Sequence, residues 1–139
     1  MDEARWDDPP VIERILNTKG KIAVVGLSPK PERDSNIVAR YLLRHGYDIV
    51  PVNPAAEEIL GRTSYPSVSA IPGEVEVVDI FRRPDQVEPT VREAIEKGAK
   101  AVWLQLGVIN EAAARAAREA GLDVVMDRCI KIEHQRRAR

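Results

Sequence analysis

The chain predicts an α/β fold, a doubly wound and mostly parallel sheet with helices on both faces. Short apolar runs rich in β-branched residues alternate with amphipathic helical stretches along the whole length. The run VVDIF at 77–81 is short and mostly apolar, as expected of a strand covered on both faces. Gly46, Gly98 and Gly121 each stand between a helical stretch and the next strand. Repeated strand-then-helix units joined by right-handed crossovers build a parallel sheet.

Residues 9–17 carry Val11, Ile12, Ile15 and Leu16 at helical spacing behind two residues able to cap, Asp7 and Asp8, and Lys19-Gly20 stops the helix. The first strand is Ile22, Ala23, Val24 and Val25, ending at Gly26. A second helix begins near Ser35, turns Ile37, Val38, Tyr41 and Leu42 to one face, and ends at His45-Gly46. The second strand, 48–52, contains Pro51, which donates no ladder bond and so belongs at a sheet edge or an irregular end. The pattern weakens next, with a short helix expected at 57–62 and a brief third strand or turn at 66–71. The fourth strand, 76–81, precedes a helix holding Val91, Ala94 and Ile95, with Pro89 tolerated in its first turn and Gly98 past its end. Strand 101–106, helix 111–120 capped by Asn110, and strand 123–126 complete the series.

At 139 residues the chain is expected to form one domain, 1–139, with one core and no room for a separate substrate domain. A formal net charge of −1 gives no overall case for nucleic-acid binding, and the locally basic KIEHQRRAR at 131–139 reads as a solvated, fraying end. The start, MDEARWDD, has no apolar run behind basic residues, and no segment approaches the roughly 18–20 apolar residues of a membrane span. A soluble, cytoplasmic protein with no membrane partner is the expectation. One cysteine, Cys129, excludes an internal disulfide framework and a cysteine-rich metal cage, so no metal is expected.

Ligands of such sheets bind outside the carboxyl ends of the strands, where strand order reverses. The residues that follow the strands are Gly26-Leu27-Ser28, Asn53-Pro54, Phe81-Arg82-Arg83, Gln105-Leu106-Gly107 and Asp127-Arg128-Cys129. In the first loop Gly26 permits a tight turn, Ser28 can donate to a phosphate oxygen, and Pro29 and Pro31 stiffen the chain. Lys30 and Arg33 add cations beside a helix N-terminus, where free N–H groups already favour an anion. The alternative is a rigid surface connection with solvated cations. Asp34 counts against a phosphate cradle, since a carboxylate there caps the helix and repels an anion.

Neither the G-x-G-x-x-G spacing nor an acidic end to the second strand is present, so an ordinary NAD site is not indicated, and no Gly-Lys-Ser or Gly-Lys-Thr marks a P-loop. The implied ligand is nucleotide-like and anionic, with a phosphorylated ribose tolerated. Phe81 beside the forks of Arg82 and Arg83 can pack a base or chain while pairing phosphate, with structural ion pairs as the alternative. Gln105 bonds a ligand or merely closes its strand. No catalytic set is legible: His45 sits at a helix end, His134 lies in the basic tail, and neither has an evident nucleophile. Cys129 reads first as an apolar filler and second as a thiol facing the cleft, and Trp103 as core.

With these residues placed, the chain resembles the small stand-alone coenzyme A-binding proteins, whose Rossmann-like fold is similar to the nucleotide-binding domain of the succinyl-CoA synthetase alpha subunit. VVGLSPKPERDSNIVARYLLRHGYDIVPVNP, VVDIFRRPDQV, AVWLQLGVINEAA and GLDVVMDRCIKIEH carry the resemblance over nearly the full length. It implies coenzyme A or acyl-CoA as cofactor, with Gly26, Ser28 and Lys30 near the pyrophosphate, Asn53-Pro54 near the adenosine, and Phe81-Arg82-Arg83 beside the cofactor. Coenzyme A bears a 3′-phosphate that an acidic residue would repel, which accounts for the missing ribose carboxylate. The synthetase subunit uses a phosphorylated histidine in a second domain and a partner subunit, and neither has a counterpart in these motifs.

The expected function is non-catalytic binding of coenzyme A or acyl-CoA, as a sensor or carrier. An NAD(H)-responsive regulatory domain is the alternative, and an enzyme acting on an acyl-CoA or disulfide through Cys129 is a third reading. A homo-oligomer or an unidentified protein partner is compatible with either.

Overall fold

The structure, a computed structural model, describes residues 5–137. The expectations about MDEARWDD at 1–8 and about the basic tail fall partly outside the described residues.

Helix α1, Pro9–Leu16, starts with two prolines in its first turn, where their missing N–H groups would have no helical partner. Asp8 holds the N-cap position but its side chain makes no capping bond, and Asp7 instead pairs with Arg128 at 2.7 Å. Strand β1 is Lys21–Val25, helix α2 Asp34–Arg44 and strand β2 Asp48–Val52. Two short strands follow, β3 Glu58–Ile59 and β4 Arg62–Thr63. Then come β5 Val77–Ile80, a 3-10 turn Pro84–Gln86, α3 Val87–Lys97 and β6 Ala101–Leu104. The chain closes with α4 Glu111–Glu119, β7 Asp123–Met126 and α5 Ile130–Arg137. Asn110 caps α4 as expected, accepting from the Ala113 N–H at 3.0 Å.

The five main strands lie parallel in the order β2-β1-β5-β6-β7. Alternation along them divides the core in two. Ile22, Val24, Val77, Trp103 and Val125 pack under α1, α2 and α5, while Ala23, Val25, Val78, Val102, Leu104 and Val124 pack under α3 and α4. Both faces are therefore covered, and burial of each large aliphatic side chain contributes roughly 1.5–3 kcal/mol. Trp103 is fully buried and its indole N–H donates to the Arg128 carbonyl at 2.8 Å. Pro51 sits on β2, an edge strand of this sheet, and pairing with β1 continues through it to Val52.

Two expectations are corrected, at residues 57–62 and in the tail, and one open alternative is resolved. Residues 57–62 form no helix: Leu60 and Gly61, at φ 56° and 73°, turn β3 onto β4 as a tight hairpin. Residues 66–71, expected as a brief strand or a turn, form a turn, with Val68 and Ile71 buried under the sheet face of α3 and α4. A parallel bridge forms just before it, where Tyr65 pairs with Val52. The tail, within the described residues, is the helix α5 and not a fraying end. Ile130 is buried and the carboxylate of buried Glu133 takes Arg136 at 3.2 Å and Arg137 at 3.0 Å. Much of the local positive charge neutralises a buried carboxylate of the same helix.

The sheet reverses its order at β1, which has β2 on one side and β5 on the other. The loops leaving β1 and β5 face each other there, at the carboxyl edge.

Candidate functional site

Gly26 brings the two loops together. Its φ is +84°, and a Cβ on it would stand 2.1 Å from the Phe81 carbonyl oxygen. The Phe81 N–H donates to Val25 O at 2.9 Å and the Gly26 N–H to Val52 O at 3.0 Å, so β2, β1 and β5 are laced at this level. Leu27 then turns inward and is fully buried, while its carbonyl accepts from Asn53 Nδ2 at 2.9 Å.

The rest of the loop is held from α2. Ser35 Oγ accepts the Ser28 N–H at 3.0 Å, and Asn36 Nδ2 donates to the Ser28 carbonyl at 2.8 Å. Ser28 Oγ accepts the Lys30 N–H at 3.1 Å, and Arg40 donates to the Pro31 carbonyl at 2.7 Å. Arg33, not Asp34, holds the N-cap position of α2, and its side chain makes no capping bond. The first N–H groups of a helix lack partners within it, so the positive end of α2 faces the loop. Asp34 is the first helical residue and lies exposed.

Two adjoining cavities follow from this arrangement. One, of about 390 Å³, is lined by Gly26, Ser28, Lys30, Arg33 and Ser35. The other, of about 330 Å³, has a mainly apolar wall of Ile37, Val38, Leu106, Val108 and Ile132, with Gln105, Cys129, Lys131 and Gln135 also lining it. Asp34 and Phe81 line both, so they stand where the polar cavity meets the apolar one. Lys30 and Arg33 make no ion pair among the described residues. Their charge is therefore free to meet an anion.

Beneath the apolar cavity lies a polar pair. Asp79 is 0% exposed on β5 and its Oδ1 accepts from Gln105 Nε2 at 2.6 Å. Its Oδ2 has no hydrogen-bond partner among the described residues. Burial raises this carboxyl to about 7, against the lowering effect of the Gln105 hydrogen bond.

The structure brings Gly26, Ser28, Lys30, Arg33 and Phe81 to one cavity and Phe81 and Gln105 to the next. It does not bring all the sequence-nominated residues there. Leu27 is core. The Asn53 side chain ties loops together, its Oδ1 accepting the Ala55 N–H at 2.8 Å while Nδ2 holds Leu27, and Pro54 is exposed beside it. Arg82 and Arg83 make no ion pair among the described residues, contrary to the structural alternative, and the Arg82 Nε is buried without a partner. Gly107 donates its N–H to Asp127 Oδ1 at 2.8 Å, and its neighbours Leu106 and Val108 line the cavity in its place. Ser35 and Asn36 were not singled out by sequence reasoning. Their signal was a pair of short polar residues in the first turn of a helix, able to meet the N–H and carbonyl of the loop before it.

His45 and His134 line neither cavity. The Tyr41 hydroxyl meets His134 Nδ1 at 2.6 Å, and His45 Nδ1 meets the Tyr41 carbonyl at 2.8 Å at the C-terminal end of α2. Burial, then the charge of His45, lowers the His134 titration. A hollow of about 450 Å³ beside this cluster is lined by Glu13, Asn17, Tyr47, His134 and Arg137. Two of its polar groups are engaged elsewhere: Tyr47 donates to Leu16 O at 2.6 Å and Arg137 pairs with Glu133. Among the described residues no group of three or more His, Cys, Asp or Glu is placed to hold a metal ion, and no helix is long and apolar enough to cross a membrane.

The sequence and the fold have counterparts among known proteins. The uncharacterized protein YneT of Bacillus subtilis (strain 168) is 41% identical over 123 residues, covering 88% of this chain and 91% of YneT. The ADP-forming acetate–CoA ligase II subunit alpha of Pyrococcus furiosus is 34% identical over 78% of this chain, which spans only 24% of that subunit. A hypothetical protein from Pyrococcus horikoshii OT3 superimposes with a TM-score of 0.89 at 52% identity, over 98% of each chain. A model of the CoA binding domain matches residues 20–135, and by that match the chain belongs to the CoA binding domain family.

Proposed function

We propose that this chain is one domain that binds coenzyme A or acyl-CoA at the carboxyl edge of its sheet, without catalysing a reaction, as a sensor or carrier. The observation that carries the reading is the pair of adjoining cavities at the strand reversal, one cationic and one apolar. Coenzyme A has the same division, a polyanionic nucleotide end and a long, mostly apolar arm. In this reading the pyrophosphate lies against Gly26, Ser28 and the N-terminus of α2, with Lys30 and Arg33 beside it. Asn53 at the end of β2 offers no carboxylate to repel a phosphorylated ribose, and Arg82 and Arg83 extend the positive edge on the β5 side. Asp34 stands at the junction of the two cavities, where the α2 N-terminus favours its charge and the neutral arm passes it.

Calorimetric titration tests this. One coenzyme A is expected to bind per chain, more tightly than the 3′-dephospho form and more tightly than NADH. Each of Lys30→Ala and Arg33→Ala is expected to weaken binding about tenfold, with a smaller effect at high salt. Absence of binding to either form of coenzyme A at high micromolar concentration would overturn the reading, and tighter binding of NADH would replace it with the nicotinamide alternative.

A further inference from the structure

Helices α2 and α5 lie against one another, and the seam between them has two unlike ends. Along α2, Asp34, Val38, Tyr41 and His45 recur at helical spacing and so share one face. At the start of that face, Asp34 and Val38 line the apolar cavity together with Lys131, Ile132 and Gln135 of α5. At its far end, Tyr41 and His45 meet His134 of α5. The fit of the two helices at the His134 end therefore sets how far apart they stand at the cavity.

That end is built from groups that respond to a proton. The His45 ring lies 4.1 Å from the Tyr41 ring, and His134 stands edge-on to Tyr41, His45 and Tyr47 at 5.4, 4.8 and 5.7 Å. The Tyr41 hydroxyl can donate across 2.6 Å to His134 Nδ1 only while that nitrogen carries no hydrogen. In the imidazolium both ring nitrogens are donors, so the Tyr41 O–H loses its acceptor and a cation faces the His45 ring. Glu13 of α1 and Arg137 of α5 line the hollow beside His134, Lys131 Nζ lies 5.7 Å over the Tyr41 ring, and Lys19 and Asp48 line a smaller hollow beside His45. Buried Glu133 is held by Arg136 and Arg137, and no carboxylate among the described residues pairs with either imidazole. Burial first, and the charge of His45 second, lower the His134 titration, so a released α5 takes up a proton that a seated one resists.

We propose that Tyr41, His45 and His134 form an acid-sensitive latch that seats α5 on α2 and thereby sets the width of the apolar cavity. His134 is a positioning residue, since it lines neither cavity and acts through the helix that carries Lys131, Ile132 and Gln135. Below the ordinary imidazole value of 6.5, protonation favours release of α5 and those three side chains withdraw from the cavity wall. Above it the latch is neutral and the wall is complete. The consequence for a ligand rests on the coenzyme A reading above, whereas the seating of α5 does not.

Nuclear magnetic resonance on the parent chain reads the latch directly. The His134 ring is expected to titrate below 6.5. With the same midpoint, the amides of Glu133 to Gln135 should lose exchange protection, by about threefold or more between about pH 7.5 and about pH 5. His134→Asn keeps an acceptor for the Tyr41 hydroxyl and takes up no proton, so its α5 should stay protected over that range. His45→Asn removes the second imidazole and should raise the His134 midpoint toward 6.5. By calorimetry, coenzyme A affinity should fall about threefold more over the same range in the parent than in His134→Asn, a comparison in which the titration of the ligand's own phosphates cancels. A His134 midpoint at or above 6.5, or α5 protection unchanged in acid or lost equally in His134→Asn, would overturn the latch. Release of α5 with an equal loss of affinity in both chains would overturn its hold on the cavity. If His134→Asn fails to fold, the parent titration and the His45→Asn shift decide. If coenzyme A does not bind at about pH 7.5 while α5 follows His134, the binding reading falls and the latch stands.

Discussion

Gly26 separates two costs that a glycine substitution combines. Gly26 and Gly107 share a φ of +84°, but only Gly26 has a neighbour in the way, the Phe81 carbonyl at 2.1 Å, whereas a Cβ at Gly107 meets nothing within 4 Å. Gly107→Ala therefore pays for backbone conformation alone, about 1 kcal/mol. Gly26→Ala must also push β5 away from β1 and is expected to cost about 2–4 kcal/mol by urea unfolding. Equal costs for the two would show that the loops are free to separate. Asp79 raises a different question at this scale, because its penalty depends on pH. Its carboxyl titrates near 7 in the folded chain against an ordinary value of 3.8, chiefly through burial. Between those values the folded chain keeps a proton that the unfolded chain has released, so stability falls as pH rises and the full penalty is present above about 7. Its upper size is on the order of 4 kcal/mol. His134 acts in the opposite sense: its lowered titration penalises acid conditions and the penalty vanishes above its ordinary value of 6.5. Asp79→Asn removes only the first effect. Thermal melts should show the variant more stable than the parent at pH 8 and close to it at pH 4, and a gap unchanged between those two conditions would contradict the account.

Helix α5 shows how an element can be invisible in composition and firm in the fold. KIEHQRRAR has the charge and polarity of a solvated end, yet Ile130 and Glu133 face the core and the Glu133 N–H donates to the Cys129 carbonyl at 3.0 Å. The arginines after it are i+3 and i+4 partners of that buried carboxylate. Leaving a buried carboxylate unpaired costs several kcal/mol, so the helix and its ion pairs form together. Hydrogen exchange distinguishes this from a fraying tail. Amides from Glu133 to Gln135 should be protected well beyond the rate of an unstructured chain, whereas exchange at that rate would place α5 among the locally unfolded segments. The β3–β4 hairpin escaped sequence reasoning for a related cause. Leu60 adopts φ 56°, a conformation that a branched apolar residue rarely takes, so only Gly61 announced the turn. Both misreadings arise where tertiary partners, Tyr41 for α5 and Asp48 for Arg62 of β4, override local preference.

Across the whole molecule, the strands were legible because a parallel sheet covered on both faces needs continuous apolar runs, and such runs survive in a single sequence. The carboxyl edge was legible for the same reason, since strand ends locate the loops. Which loop residues turn toward the cavities was not: Leu27 and Asn53 follow strands just as Gly26 and Phe81 do, yet packing sends one into the core and ties the other between loops. The cavities lie between loops from β1, β5, β6 and β7, and the sheet alone keeps those loops in register. A ligand spanning them would bind only the folded chain, so its affinity adds to global stability by mass action. At a free concentration of one hundred times the dissociation constant that is about 2.7 kcal/mol, or roughly 5–10 °C in the melting temperature of a chain this size. Coenzyme A is therefore expected to raise the midpoint by that amount, and 3′-dephospho-coenzyme A at the same concentration by less. Both shifts should shrink in high salt, as the charges of Lys30 and Arg33 are screened. A midpoint unmoved by either compound would mean that the edge of the sheet is not bridged.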